Sequence, residues 1–268
     1  MAQCLTPFYK RDEKKGVWLA LPCSQCYTCK MRKVNGWAFR LDQEFKLAQS
    51  AHFLTLTYDT EFIPINEHLE LTLQKSDLQK LFKRIRKENP ESQLKYFACG
   101  EYGTKTGRPH YHAIVFNETV QAFEKAWTDV HTGKPRGAIH RGDVEPASIY
   151  YTLKYMLKSQ MRDEVKKQKE FQLMSKGLGK NYLTDQSEAW HKADLAKRYY
   201  LPVPGNVKCP MPRYYKDMLY DEHEKSSIGA SIRAAIEKDE PISDRELNER
   251  VMTLSRKLKR TQLSTDKI

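Results

Sequence analysis

Between residues 52 and 160 the apolar residues switch repeatedly between a period of two and a period near 3.6, and few folds accommodate that alternation. HFLTLTY at 52–58, QLKYFAC at 93–99, HYHAIVFN at 110–117 and the short stretch 138–144 have the period and composition of strands. Helical period appears over 30–49 (Val34, Trp37, Ala38, Leu41, Phe45, Ala48), 77–88 (Leu78, Leu81, Phe82, Ile85), 119–128 (Val120, Phe123, Trp127) and 147–160. Ser76 and Gln79 form a capping box for the second of these, and Pro90 stops it. The three glycines of GEYGTKTGRP suit a hairpin that pairs 93–99 with 110–117. The order β-α-β-β-α-β-α implies an α+β fold, an antiparallel sheet with flanking helices in the split βαβ arrangement of ferredoxin-like or RRM-like domains.

The rest of the chain arranges itself around that block. Residues 1–50 are expected to be an irregular Cys-rich arm, up to about residue 29, and a leading helix packed on the core; 51–160 form the core. Residues 161–225 are expected to complete the domain as a basic extension, since 154–180 carries eight lysines and arginines against three acidic residues. Residues 226–268 should be a helical C-terminal extension: Ser243 and Glu246 form a capping box ahead of a seam of Leu247, Val251, Leu254 and Leu258. The longest apolar run, Val17 to Leu21, is far short of the roughly 20 residues that cross a bilayer, and no signal-peptide core opens the chain, so a soluble, unsecreted protein is expected. With 46 Lys plus Arg against 34 Asp plus Glu, the net charge of +12 favours a polyanionic partner, most commonly nucleic acid.

Three groups of residues carry chemistry. His110 and His112 flank Tyr111 in a strand, so both imidazoles share a face, and the hairpin would return Glu101 beside them. Two histidines and a carboxylate make a divalent-metal triad with open positions; hydrogen-bonded strand histidines are the plainer alternative. On the helix over 147–160, Tyr151, Lys154, Tyr155 and Lys158 fall on one stripe, offering two phenols and two ammonium groups to an anion; aromatic residues anchored at a helix surface would give the same pattern. Cys23, Cys26 and Cys29, with Cys4 upstream, could form a four-thiolate zinc site, with Cys209 as a rival fourth ligand and free reduced thiols as the alternative.

HFLTLTY (52–58), GEYGTKTGRPHYHA (100–113) and YYTLKYMLK (150–158) resemble, in order and spacing, the three motifs of HUH-superfamily replication initiators. PCSQCYTCKMRKVNGWAFRL, KGLGKNYL and KCPMPRYY extend the resemblance toward the replication initiation proteins of gokushovirus-type microviruses, over most of the chain up to about residue 220. The resemblance implies that His110, His112 and Glu101 bind Mg²⁺ or Mn²⁺, that Tyr151 and Tyr155 are paired nucleophiles, and that Lys154 is the motif lysine. Lys158 and Arg108 are candidate DNA contacts. Tyr150 adjoins Tyr151, which leaves open which of them serves, and Tyr111 stands where an aliphatic residue is usual.

The implied activity is a metal-dependent, site-specific single-strand DNA endonuclease and strand transferase. It would nick origin DNA, leave a 5′-phosphotyrosyl link and a free 3′-hydroxyl for rolling-circle replication, and religate with the second tyrosine. Its partners would be single-stranded or extruded phage origin DNA and the host helicase and polymerase, in the cytoplasm of a bacterial host, with no nucleotide cofactor. The competing expectation is a non-catalytic, zinc-stabilised nucleic-acid-binding protein.

Overall fold

The computed structural model describes residues 4–13, 16–103, 105–154, 156–157, 167–238 and 243–263. They divide into two compact units, Arg40–Lys180 on one hand and Met1–Phe39 with Asn181–Ile268 on the other.

The chain begins with two antiparallel strands, β1 (Phe8–Asp12) and β2 (Val17–Leu21), where the sequence predicts irregular structure. Their composition hides them: FYKRD is dominated by polar residues and VWLAL by apolar ones, so neither shows a period of two. Helix α1 (Tyr27–Leu47) follows and buries Val34, Ala38 and Leu41 as its period predicts, while Phe45 stays exposed.

In the Arg40–Lys180 unit the predicted order is present as β3 (Ala51–Leu56), α2 (Lys75–Glu88), β4 (Lys95–Tyr102), β5 (Pro109–Phe116), α3 (Val120–Ala126), β6 (Ile139–Gly142) and α4 (Pro146–Lys154). A fifth strand that the sequence does not announce, β7 (Phe171–Met174), pairs with β4 and gives the sheet order β6-β3-β5-β4-β7, antiparallel throughout. Its first four strands have the order of the split βαβ fold.

Leu54, Leu56, Tyr96, Ala98, Tyr111, Ala113 and Val115 on one face of this sheet pack with Leu78, Leu81, Phe82 and Ile85 of α2 and Phe123 and Ala126 of α3. Helix α2 starts at Lys75, and Gln74 holds the capping position without a side-chain bond, so the Ser76–Gln79 capping box is not used. A tertiary contact replaces it: the Tyr111 hydroxyl accepts from the Gln74 N–H and donates to the Gln74 carbonyl, both at 3.0 Å. The same phenol lies 2.8 Å from the Tyr58 hydroxyl, which donates to Asp77 at 2.6 Å, and Asp77 is paired with Arg136 at 2.9 Å. Both hydroxyls and the carboxylate along this buried line therefore have partners.

Residues 176–180 close the unit with a compact turn. Gly177 and Gly179 have φ of 68° and 73°, and a Cβ at Gly179 would stand 2.6 Å from the Arg40 carbonyl oxygen. Only glycine fits both demands. The turn is clasped to α1 by Gly179 N–H donating to Glu44 at 2.7 Å and Arg40 Nε donating to the Leu178 carbonyl at 2.9 Å.

The other unit has its own core of Phe39, Leu201, Cys209, Met211, Tyr215, Leu219, Tyr220 and Ile228. After α5 (Asp185–Lys192), the strands β8 (Tyr200–Val203) and β9 (Val207–Pro210) form a hairpin, and α6 (Arg213–Leu219), α7 (Glu222–Lys238) and α8 (Asp244–Leu263) make the C-terminal part helical. Ser243 caps α8 as predicted, its hydroxyl accepting from the Glu246 N–H at 3.3 Å. A Cβ at Gly36 of α1 would lie 3.0 Å from Pro212, so the glycine leaves room for the PRYY segment. His191 is buried, with Nδ1 donating to the Arg198 carbonyl at 2.6 Å and Nε2 2.8 Å from the Tyr182 hydroxyl; burial lowers its pKa. No helix among the described residues is long and apolar enough to cross a membrane.

Candidate functional site

The β4–β5 register sets Glu101 directly opposite His110, and β5 pairs with β3 so that Thr55 faces His112. Because strand side chains alternate, His110, His112 and Glu101 stand on the face opposite Tyr111. Their ligand atoms lie within 4.8 Å of one another: Glu101 Oε1 is 2.7 Å from His110 Nε2 and 3.0 Å from His112 Nε2. The predicted triad is thus assembled by the hairpin. Glu101 and His112 are buried while His110 is half-buried, which leaves an approach from the His110 side.

The hydrogen bonds around the triad fit a cation. His110 Nδ1 lies 3.2 Å from the Arg108 carbonyl oxygen, which can only accept, so Nδ1 carries the proton. In the neutral ring the Nε2 lone pair then points at a carboxylate oxygen, acceptor against acceptor, and a positive charge between them resolves the clash. His112 Nδ1 is held by the Thr55 hydroxyl at 2.9 Å, which again aims Nε2 at Glu101. Partners of this kind behind each imidazole are the usual support of metal-ligating histidines. Sequence reading did not single out Thr55, although period two in HFLTLTY places it on the histidines' face.

Helix α4 brings Tyr151 to this site. Its ring meets His112 edge-on at 5.4 Å between centroids and Phe53 at 6.0 Å, while Phe53 stacks on His112 at 5.6 Å. Tyr150 is 48% exposed, so of the two adjacent tyrosines it is Tyr151 that stands against the triad. Lys154 is the last residue of α4 and is half-buried. The predicted helix to residue 160 is not observed: after Lys154 the bonds from Met156 N to the Leu153 carbonyl and from Leu157 N to the Lys154 carbonyl are those of tight turns. Tyr155 and Lys158 lie outside the described residues. Arg108 donates from Nη2 to the Tyr58 carbonyl at 2.9 Å. Tyr111 and Tyr58 offer no rival nucleophile, since burial pushes Tyr111 up to about 12 and Tyr58 higher still.

A second cluster joins the sulfur atoms of Cys4, Cys23, Cys26 and Cys29, also within 4.8 Å of one another. Cys209 is not among them; it is buried on β9 in the core formed with Phe39, Leu201 and Tyr215. Burial opposes ionisation at Cys26, yet the Thr28 hydroxyl and the N–H groups of Cys29 and Leu5 outweigh it and bring its pKa down to about 6. Burial holds the Cys29 thiol up at about 12.

The sheet and its triad coincide with a known domain. Through residues 51–160 the chain belongs to the replication-associated protein ORF2 family, whose model matches that segment. Beyond the domain, the chain is similar to particular viral proteins along most of its length. It is 28% identical over 233 residues to replication-associated protein VP4 of Bdellovibrio phage phiMH2K, covering 80% of this chain and 72% of the relative. Replication-associated protein ORF2 of Spiroplasma virus 4 is 29% identical over 266 residues, covering 88% and 78%. Replication-associated protein ORF4 of Chlamydia phage 1 is 26% identical over 224 residues, covering 74% and 53%. No solved structure matches.

Proposed function

We propose that this chain initiates replication of a small phage DNA genome by nicking single-stranded or extruded origin DNA with Tyr151. The observation that carries the reading is the Tyr151 ring 5.4 Å from His112, at the open side of a two-histidine, one-carboxylate triad. Glu101, His110 and His112 would hold Mg²⁺ or Mn²⁺, which when bound supplies Lewis-acid polarisation of the scissile phosphate.

The protein's own part is positional. Thr55 and the Arg108 carbonyl keep both imidazoles in one tautomer and orientation, and Phe53 buttresses His112 and Tyr151 together. Tyr151 Oη forms its bond to phosphorus as the bond to the 3′ oxygen breaks. The phenol loses a proton and the departing oxygen gains one, leaving a 5′-phosphotyrosyl link and a free 3′-hydroxyl. One phosphodiester replaces another, so religation by the reverse attack needs no nucleotide. Lys154 contributes positive charge one turn along the helix from Tyr151, and Arg108 and Lys158 contact the strand. Tyr155 acts as the second nucleophile, cleaving the regenerated origin while Tyr151 remains linked. The host helicase and polymerase extend the freed 3′ end in the bacterial cytoplasm.

A denaturing gel tests this directly. The full chain with labelled origin-bearing single-stranded DNA and Mg²⁺ or Mn²⁺ should yield a protein-linked oligonucleotide, which peptide mapping assigns to Tyr151 or Tyr155. Adduct that persists in the double variant Tyr151→Phe/Tyr155→Phe overturns the assignment, and cleavage without any adduct shows that water is the nucleophile.

A further inference from the structure

We infer that Cys4, Cys23, Cys26 and Cys29 hold a structural zinc ion that ties the β1–β2 hairpin to the start of α1. The spacing of the sulfurs suits a single ion. Four thiolates about 2.3 Å from a tetrahedral zinc stand about 3.8 Å apart along each edge. Cys4 Sγ and Cys26 Sγ are 3.8 Å apart, and all four sulfurs fall within 4.8 Å. A disulfide would bring a pair to about 2.05 Å, and none of the four is bridged.

The surroundings are those of metal-bound sulfur. Cys23 N–H donates to Cys4 Sγ at 3.2 Å, and the Gln25 and Cys26 N–H groups donate to Cys23 Sγ at 3.4 and 3.2 Å. The Thr6 hydroxyl donates to Cys23 Sγ at 3.3 Å. Such donors spread the negative charge of the sulfurs and orient them. Ser24 completes the turn with φ of 61°, in the left-handed region that disfavours a residue with a side chain. That strain persists only where something else holds the loop in place.

Donor chemistry selects the ion. Four soft thiolates favour zinc over Mg²⁺ and Mn²⁺, and they fill a tetrahedron without an open position, so the ion's role is structural. The segment also needs such a tie. Phe8, Tyr9 and Trp18 are 53, 65 and 67% exposed, so the hairpin buries little of its aromatic surface, and an isolated two-stranded hairpin is marginal in water. Cys4 precedes β1, Cys23 follows β2, Cys26 lies just before α1 and Cys29 in its first turn; an ion among them closes the base of the hairpin onto the helix.

The test is metal analysis of the purified full chain. About one equivalent of zinc should co-purify, remain in the His110→Ala/His112→Ala variant and fall below a tenth in Cys26→Ser and Cys29→Ser. Replacement by Co²⁺ should give sulfur-to-cobalt charge-transfer absorption and intense visible bands of tetrahedral thiolate. Where a cysteine variant fails to fold, mercurial titration of the wild-type chain gives the same answer, with zinc released in step with modification of these four thiols. Zinc that follows the histidines instead, or a zinc-free chain with an unchanged unfolding midpoint, overturns the inference. Neither result bears on the phosphotyrosyl adduct, which stands or falls separately.

Discussion

The chain carries two clusters of metal-ligating side chains, and they differ in nearly every respect that matters. The cysteines are soft, four in number and gathered within the first 29 residues, around one turn and one helix start. Glu101, His110 and His112 are three harder donors on adjacent strands, with a tyrosine ring alongside. A closed set of four excludes any further ligand, whereas a set of three leaves positions for a reacting group. The first arrangement can only hold structure together; the second can take part in chemistry. The difference also lies in how each is built: local spacing suffices for the cysteines, while the triad exists only if a hairpin pairs in the correct register.

The sharpest way to break this contrast is to remove chemistry without removing structure. Tyr151→Phe/Tyr155→Phe should lose all covalent adduct, and His110→Ala should lower its rate roughly a hundredfold to a thousandfold, both with near-wild-type unfolding midpoints. Gel assays and thermal melts of the same preparations check both halves. Next in size, Cys26→Ser should lower stability by about 2–4 kcal/mol in denaturant melts, as loss of a structural metal does; a variant as stable as wild type would erase the distinction.

Tyr111→Phe refines the comparison within a single strand. Removing one oxygen from the core face strips partners from Gln74 and Tyr58 and should cost about 1–3 kcal/mol in the same melts, more than an alanine at His110 on the opposite face. The smallest effect is set by pH, and it belongs to the unit that holds the cysteines. His191 is buried with its pKa lowered from 6.5, so the unfolded chain takes up its proton first. Its contribution is fully present above about pH 6.5 and is lost as pH falls from there through the folded-state value. His191→Gln should flatten the stability profile in that window, read from unfolding midpoints between pH 5 and 8.

Much of the architecture was legible because period and chemistry coincide in the same residues. HYHAIVFN reads as a strand, and the strand alone puts both imidazoles on one face; the glycine-rich turn then returns Glu101. What escaped depends on distant partners or on short segments. The start of α2 follows a phenol 37 residues away rather than its own Ser76. FYKRD and FQLM are four or five residues long and carry no alternation, so β1 and β7 exist only through their neighbours. Tyr150 and Tyr151 are adjacent on one helix, and only the position of α4 over β5 tells them apart.

The alternation along β5 has one more consequence. His110, Tyr111 and His112 point out, in and out, so sliding this strand by a single residue would bury two imidazoles and expose the phenol that pins α2. Misfolding by register slip therefore cannot yield a molecule that is stable but inert, or active but loose. Quality control of the catalytic centre is built into the hydrophobic core: any chain that has collapsed correctly around Tyr111 has, by the same act, presented its ligands.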